Sequence, residues 1–190
     1  MTRVALLGGS FNPPHVAHQM LALWALSTDA ADEVWLMPCH QHAFHKKLVA
    51  IEHRRAMCEL AAAPLPAGRV QVTSVEQTLG APSRTLRTLQ HLHAERPDLE
   101  LALLIGADIL QEKDSWYRFD EIERLARILA VGRVGFPSPG AVPDLPPISS
   151  TQIRAALAGG ENPAHLVPAA VLGYIRAHQL YTQADSDGQV

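Results

Sequence analysis

Four apolar residues, Val4-Ala5-Leu6-Leu7, run without interruption into Gly8-Gly9, and two prolines, Pro13 and Pro14, precede a long apolar-rich segment that opens at His15. A short apolar run bounded by glycine reads as a buried strand. The segment after the prolines reads as a helix over 15–28, with Met20, Leu21, Leu23, Trp24 and Leu26 among its apolar positions. Strand, glycine turn and helix in this order form the unit with which an α/β sheet presents backbone N–H groups and a helix N-terminus to an anion. His15 and His18 lie three apart, on one face of the first helical turn. Two imidazoles at the positive end of a helix suit a polyphosphate.

The same alternation continues along the chain. Glu33 to Met37 is a second short strand stopped by Pro38, and strand–helix–strand in so few residues implies a parallel pair with a right-handed crossover. Residues 52–62 read as a helix with Met57, Leu60 and Ala61 toward the core and Arg54 and Arg55 toward solvent, where one of the two could instead approach a phosphate. Val70 to Val72 is a brief strand, 73–82 a loop, and Ser83 the N-cap of a helix running to about Glu95. Residues 99–105 form a fourth strand, 119–125 a helix and 128–131 a fifth strand. Five short strands alternating with helices give an α/β fold, a doubly wound parallel sheet. Gly135 to Pro147 is a connector thick with proline and glycine, with no fold of its own. The helices beyond it form a small C-terminal helical subdomain. Residues 1–181 read as one domain and 182–190 as a polar, disordered tail.

A second anion site is written at Ile148-Ser149-Ser150-Thr151-Gln152-Ile153-Arg154. With Ser149 as N-cap, Gln152 falls at the third helical position, a capping box. Ser150 and Thr151 then occupy the first turn with hydroxyls facing outward, and Arg154 lies one turn on. Helix dipole, hydroxyls and one guanidinium together attract phosphate. Gly159-Gly160 ends that helix, and Pro168 starts a last one running to about His178. Asp108, just beyond the fourth strand, stands at the ligand edge of an open sheet, where it could accept hydrogen bonds from ribose hydroxyls or cap the next helix.

Bulk properties exclude several classes. A net charge of −3 without basic clusters does not suit a binder of nucleic-acid backbones. No apolar run reaches membrane-spanning length, and the chain opens directly into a strand. Two cysteines, Cys39 and Cys58, make no disulfide framework, and reduced thiols in the cytoplasm are the simple reading. The loop 38–51 is dense in histidine (His40, His42, His45), but its spacing does not follow the usual zinc patterns, so no metal site is assigned. The glycine turn also lacks the fingerprints of dinucleotide dehydrogenases and P-loop proteins.

G-G-S-F-N-P-P-H-V-A-H resembles the signature of the HxGH nucleotidyltransferase superfamily, and I-S-S-T-Q-I-R resembles that superfamily's second motif. The likeness extends from about Val4 to Tyr181, and within the superfamily it is to bacterial nicotinate-nucleotide adenylyltransferases. This resemblance implies a Rossmann-like sheet. It also implies ATP phosphates held by Gly8, Gly9, Ser10, Phe11, Ser150 and Thr151, with His15, His18, Lys46 and Arg154 as catalytic groups. Lys46 enters through the His-Lys pair of the loop after the second strand, with Lys47 as its stand-in. Pro82 to Leu89 is similar to the family's P-S-Y-T-x-D-T-L segment, and Gly106-Ala107-Asp108 to its G-A-D, so the resemblance puts Thr85, Asp108 and Trp116 on nicotinate mononucleotide. Four positions depart from the family pattern: Asn12 for aspartate, Ala17 for the glycine of HxGH, Arg84 for tyrosine and Arg87 for aspartate.

The activity implied is transfer of the adenylyl group of ATP to nicotinate mononucleotide, giving deamido-NAD and pyrophosphate in NAD biosynthesis. Mg²⁺ would be carried by ATP, without a protein cage. The expected partners are these two nucleotides, with no nucleic acid and no membrane, and a homo-oligomer stays open. The alternatives are a related transferase acting on nicotinamide mononucleotide, phosphopantetheine or a cytidylyl acceptor, a non-catalytic nucleotide-binding protein, and a metal-binding role for the His40–His45 loop.

Overall fold

The computed structural model describes residues 1–40, 48–81, 83–111, 113–132, 134 and 144–182. Lys46, Lys47, His42 and His45 lie outside the described residues, as do 135–143 of the connector and the tail after Thr182.

Five strands form one sheet: β1 (Thr2–Gly9), β2 (Glu33–Pro38), β3 (Val70–Val72), β4 (Leu99–Gly106) and β5 (Arg127–Val131). Their order is β3-β2-β1-β4-β5, and every neighbouring pair is parallel. The chain steps outward from β1 in one direction to β2 and β3, then crosses back to β4 and β5. That reversal beside β1 is a switch point, where the carboxyl ends of the strands open a crevice.

Side-chain alternation divides each strand between two cores. Ala5 and Leu7 of β1, with Val34 and Leu36 of β2, face α1 (Val16–Ser27) and α2 (Ile51–Ala62), meeting Leu21, Ala22, Ala25 and Cys58. Val4 and Leu6 face the opposite way, joining Leu101, Leu103 and Ile105 of β4. There they pack on α4 (Thr85–Glu95) through Leu86, Leu89 and Leu92, and on α6 (Phe119–Leu125) through Ile122. A fully buried leucine such as Leu89 contributes roughly 1.5–3 kcal/mol.

The C-terminal helices, α7 (Ser150–Ala158) and α8 (Ala169–Ala177), form a third cluster on the far side of α2. Met57 and Ala61 of α2 meet Ile153 of α7 and Val171, Leu172 and Ile175 of α8 there. Because α2 packs against both the sheet and α7–α8, the subdomain is fastened to the sheet by an apolar interface.

Several local expectations change. Residues 73–82 are not all loop: Val75–Leu79 form a short helix, α3, capped at its end by Gly80 at φ +71°. The cap of α4 is Arg84, not Ser83, whose hydroxyl instead accepts a hydrogen bond from the His40 N–H at 3.1 Å. Pro168 caps α8 rather than opening it. Asp108 lies inside a short helix, α5 (Ala107–Gln111), and so does not cap one.

The amino end of the sheet is held by charge. The Arg3 guanidinium bonds Asp32 at 2.7 Å and Asp29 at 2.8 Å, and the Arg3 N–H donates to Asp32 at 2.8 Å. The guanidinium bond first, then the backbone bond, lower the Asp32 carboxyl to about 2. A depressed folded-state value contributes stability above the ordinary aspartate range and loses it as pH falls toward 2. Asp32→Asn should therefore flatten the fall in Tm between pH 5 and pH 2, followed by thermal unfolding across that range. An unchanged slope would remove Asp32 from the acid response.

Candidate active site

The site is assembled from main chain first. β1 ends at Gly9, whose carbonyl accepts from the Cys39 N–H at 2.9 Å, so the turns after β1 and β2 run side by side. Phe11 follows in the left-handed region at φ +46°, 1 % exposed, and Asn12-Pro13 is cis. Left-handed backbone at a bulky residue concentrates at functional turns held by their surroundings.

The chief holder is Arg54, and here sequence reasoning was wrong. Arg54 does not face solvent; it is 2 % exposed. Its guanidinium donates to four carbonyl oxygens: Val49 at 3.0 Å, Ser10 at 3.0 Å, Cys39 at 2.8 Å and His40 at 3.4 Å. One buried cation thus gathers the glycine turn, the end of β2 and the approach to α2. A signal was present, since Arg54, Met57, Cys58 and Ala61 follow the i, i+3, i+4, i+7 spacing of a buried helical stripe. Arg55 does face solvent, paired with Glu59 at 3.5 Å.

The two histidines occupy different positions. His15 is the N-cap of α1 and not its first helical residue, and His18 stands at the third helical position. The His15 backbone N–H donates to His18 Nδ1 at 3.1 Å, and the two rings stack at 3.8 Å. An Nδ1 that accepts from a backbone amide leaves Nε2 to carry the His18 proton. The Phe11 ring tilts against His18 at 4.7 Å.

The second motif closes on the first. Ser149 caps α7, its hydroxyl accepting from the Gln152 N–H at 3.2 Å as expected. The Ser150 hydroxyl does not point outward but donates to the Pro13 carbonyl at 2.9 Å. Arg154 donates to the Asn12 carbonyl at 2.8 Å and approaches the Thr151 hydroxyl at 3.4 Å. Asn12 is 2 % exposed, and its side-chain oxygen accepts from the Val49 N–H at 3.2 Å and from the Tyr181 hydroxyl at 2.9 Å. Sequence reasoning did not place Tyr181 at the site, because an aromatic residue after the last helix carries no motif.

These contacts leave a cleft of about 250 Å³ at the switch point, lined by His15, His18, Ser149 and Ser150. The N-termini of α1 and α7 both reach it, and each concentrates roughly half a positive charge. Leu21, Val131, Leu145 and Ile148 give the cleft apolar walls. Ala17 lines it too, where the family pattern has glycine. Asp108 lines this cleft as well, its carboxylate folded over Gly106 so closely that a Cβ there would clash with Oδ1. Thr85 and Trp116 are not among the lining residues. Thr85 opens α4, and Trp116 packs edge-on to Phe119 at 5.8 Å. The neighbouring Tyr117 ring lies under the Arg84 guanidinium at 4.3 Å.

Two helix N-termini thus converge on one crevice at the switch point of a parallel α/β sheet. A family model described as cytidylyltransferase-like matches residues 6–156. A protein of Anaeromyxobacter dehalogenans (strain 2CP-C), named "Probable nicotinate-nucleotide adenylyltransferase", is 53% identical over 181 residues, covering 94% of this chain and 96% of that one. One of the same name from Lactiplantibacillus plantarum is 37% identical over 191 residues, covering 96% of this chain and 90% of its own. The solved structure of Plasmodium falciparum nicotinic acid mononucleotide adenylyltransferase complexed with NaAD matches with a TM-score of 0.80, covering 95% of this chain and 98% of its own. At 18% identity that likeness speaks for the fold. The chain belongs to the cytidylyltransferase-like nucleotidyltransferases, among relatives named nicotinate-nucleotide adenylyltransferase.

Arg54→Met keeps the bulk of the side chain but strips four carbonyls of their donor. It should lower unfolding free energy by about 3 kcal/mol or more. Urea unfolding reads this directly, and a loss below about 1 kcal/mol would show that water replaces the guanidinium freely.

Proposed function

We propose that this chain transfers the adenylyl group of ATP to nicotinate mononucleotide. A phosphate oxygen of the mononucleotide attacks the α-phosphorus, the bond from that phosphorus to the bridging oxygen breaks, and pyrophosphate leaves with the electron pair. The observation that carries the reading is the meeting of both phosphate motifs in one crevice, with the acceptor supplied by the relatives' names.

The attacking phosphate is largely ionised at neutral pH, its second pKa being near 6, so no general base is required. What must be supplied is alignment of two polyanions and stabilisation of charge on the leaving group. His18, with its proton on Nε2, would donate to the α-phosphate, and stacked His15 would hold a neighbouring phosphate. Gly8, Gly9, Ser10 and Phe11 would offer the turn, while Thr151, Arg154 and Ser150, the last through its backbone N–H, would take the β- and γ-phosphates together with Lys46. The apolar walls Leu21, Val131, Leu145 and Ile148 suit an adenine ring. Asp108 would take ribose hydroxyls of nicotinate mononucleotide where that nucleotide meets the cleft. Thr85 and Trp116, outside the cleft lining, remain assigned to the pyridine ring and its carboxylate.

Mg²⁺ enters as part of the ATP substrate, with phosphate oxygens and water as its main ligands. Asp108 is the one carboxylate among the described lining residues. We place the reaction in the cytoplasm, a setting that suits the free thiols Cys39 and Cys58. Residues 1–181 act as the nucleotidyltransferase unit, since Tyr181 still belongs to the third core cluster.

The test is pyrophosphate release with ATP and Mg²⁺, comparing nicotinate mononucleotide, nicotinamide mononucleotide and phosphopantetheine. At least tenfold preference in kcat/KM for the first is expected, and equal rates would overturn the acceptor. His18→Ala should lower kcat at least tenfold, more than about 1.4 kcal/mol of barrier, and an unchanged kcat would sink its assigned role.

A further inference from the structure

The hydrogen bond between Tyr181 and Asn12 joins residues 169 apart in sequence, with left-handed backbone at one end and beside the other. Tyr181 itself is at φ +61°, and Phe11, the residue before Asn12, is at φ +46°. Bulky L-residues rarely adopt this region unless their surroundings over-determine it. Tyr181 is 5% exposed and packs with Met57, Ala61, Ile153 and Ile175. Packing alone would be served by phenylalanine. The hydroxyl adds a directed bond, donating to Asn12 Oδ1 at 2.9 Å, and the Val49 N–H donates to the same oxygen at 3.2 Å. Two donors fill both lone pairs of an amide oxygen.

Asn12 sits at the centre of a tripeptide from which three proposed phosphate-binding groups take their positions. The Phe11 ring backs His18, the Asn12 carbonyl receives Arg154, and the Pro13 carbonyl receives Ser150. We infer that Tyr181 is a positioning residue for adenylyl transfer: its hydroxyl fixes the Asn12 carboxamide, and through it the placement of His18, Arg154 and Ser150. Tyr181 lines no part of the cleft. It acts through Asn12, which it holds in register with the Val49 end of the loop before α2. Alignment of this kind affects the barrier more than ground-state binding, because small displacements weaken transition-state contacts most. The kinetic half of the inference rests on the function proposed above, and the structural half does not.

The experiment uses the full chain with Tyr181→Phe, which keeps the ring and removes one hydroxyl. Expected are a fall in kcat of at least fivefold, KM values for ATP and nicotinate mononucleotide within twofold of the parent, and little change in Tm. In an Asn12→Ala background the same substitution should cause no further fall, because the coupling runs through the carboxamide. Hydrogen exchange at the Val49 amide should quicken at least tenfold in Tyr181→Phe alone. An unchanged kcat, an equal fold-loss in both backgrounds, or an unaltered Val49 amide would overturn the inference. Should the parent chain release no pyrophosphate, the functional reading fails instead, and Val49 exchange still decides whether Tyr181 holds Asn12.

Discussion

A single buried cation, Arg54, organises the loops that frame the candidate site. Arg54 carries its charge at 2% exposure and meets it with backbone carbonyls from Ser10, Cys39, His40 and Val49. Burying an unpaired charge is costly, but bonds from a charged donor contribute about 1.5–3 kcal/mol each. Carbonyls in turns have no helix or strand partner, so the guanidinium and the turns satisfy one another. The neighbouring thiol shows which effect dominates nearby. Arg54 favours the Cys39 thiolate, yet burial outweighs it and pushes the thiol up. The region is a hydrogen-bonded scaffold beneath the turn that follows β1.

The sheet was legible because its strands are short apolar runs punctuated by glycine or proline, and its helices carry a clear stripe. The five strands and the helices α1, α2, α4, α6, α7 and α8 fall within a few residues of the reading from sequence. What eluded it was satisfaction of backbone groups by side chains far away in sequence. Arg54 resembles any helical arginine until its place on the stripe is noticed. Ser150 resembles an outward-facing first-turn hydroxyl until Pro13 is placed beside it. Ser83 resembles a cap, but the His40 amide claims its oxygen. The motifs named the segments that meet, and only the folded chain shows that they meet through main-chain carbonyls.

The departure at residue 12 also becomes intelligible. The family pattern favours aspartate, and this chain has Asn12. Both side chains offer an oxygen to the Val49 amide and the Tyr181 hydroxyl. Only the carboxylate would add a negative charge beside the cleft proposed to hold phosphates. The neutral side chain keeps the bracket and omits the repulsion. At Ala17, by contrast, the added methyl lies on the cleft wall itself, so any effect falls on the shape offered to the nucleotide.

Contact across 169 residues has a consequence for how the molecule is made. Among the described residues the last strand of the sheet, β5, ends at Val131, so the five described strands have been synthesised while the third cluster still lacks its last members. Ser150, Arg154 and Tyr181 arrive in that order, each closing onto Pro13 or Asn12. At roughly 5–20 residues per second, a growing chain spends seconds with a framework but without these closing contacts. Closure of Ser150, Arg154 and Tyr181 onto the Asn12-Pro13 turn thus waits until this stretch has been translated, and a chain halted before it would carry the strands without these three contacts.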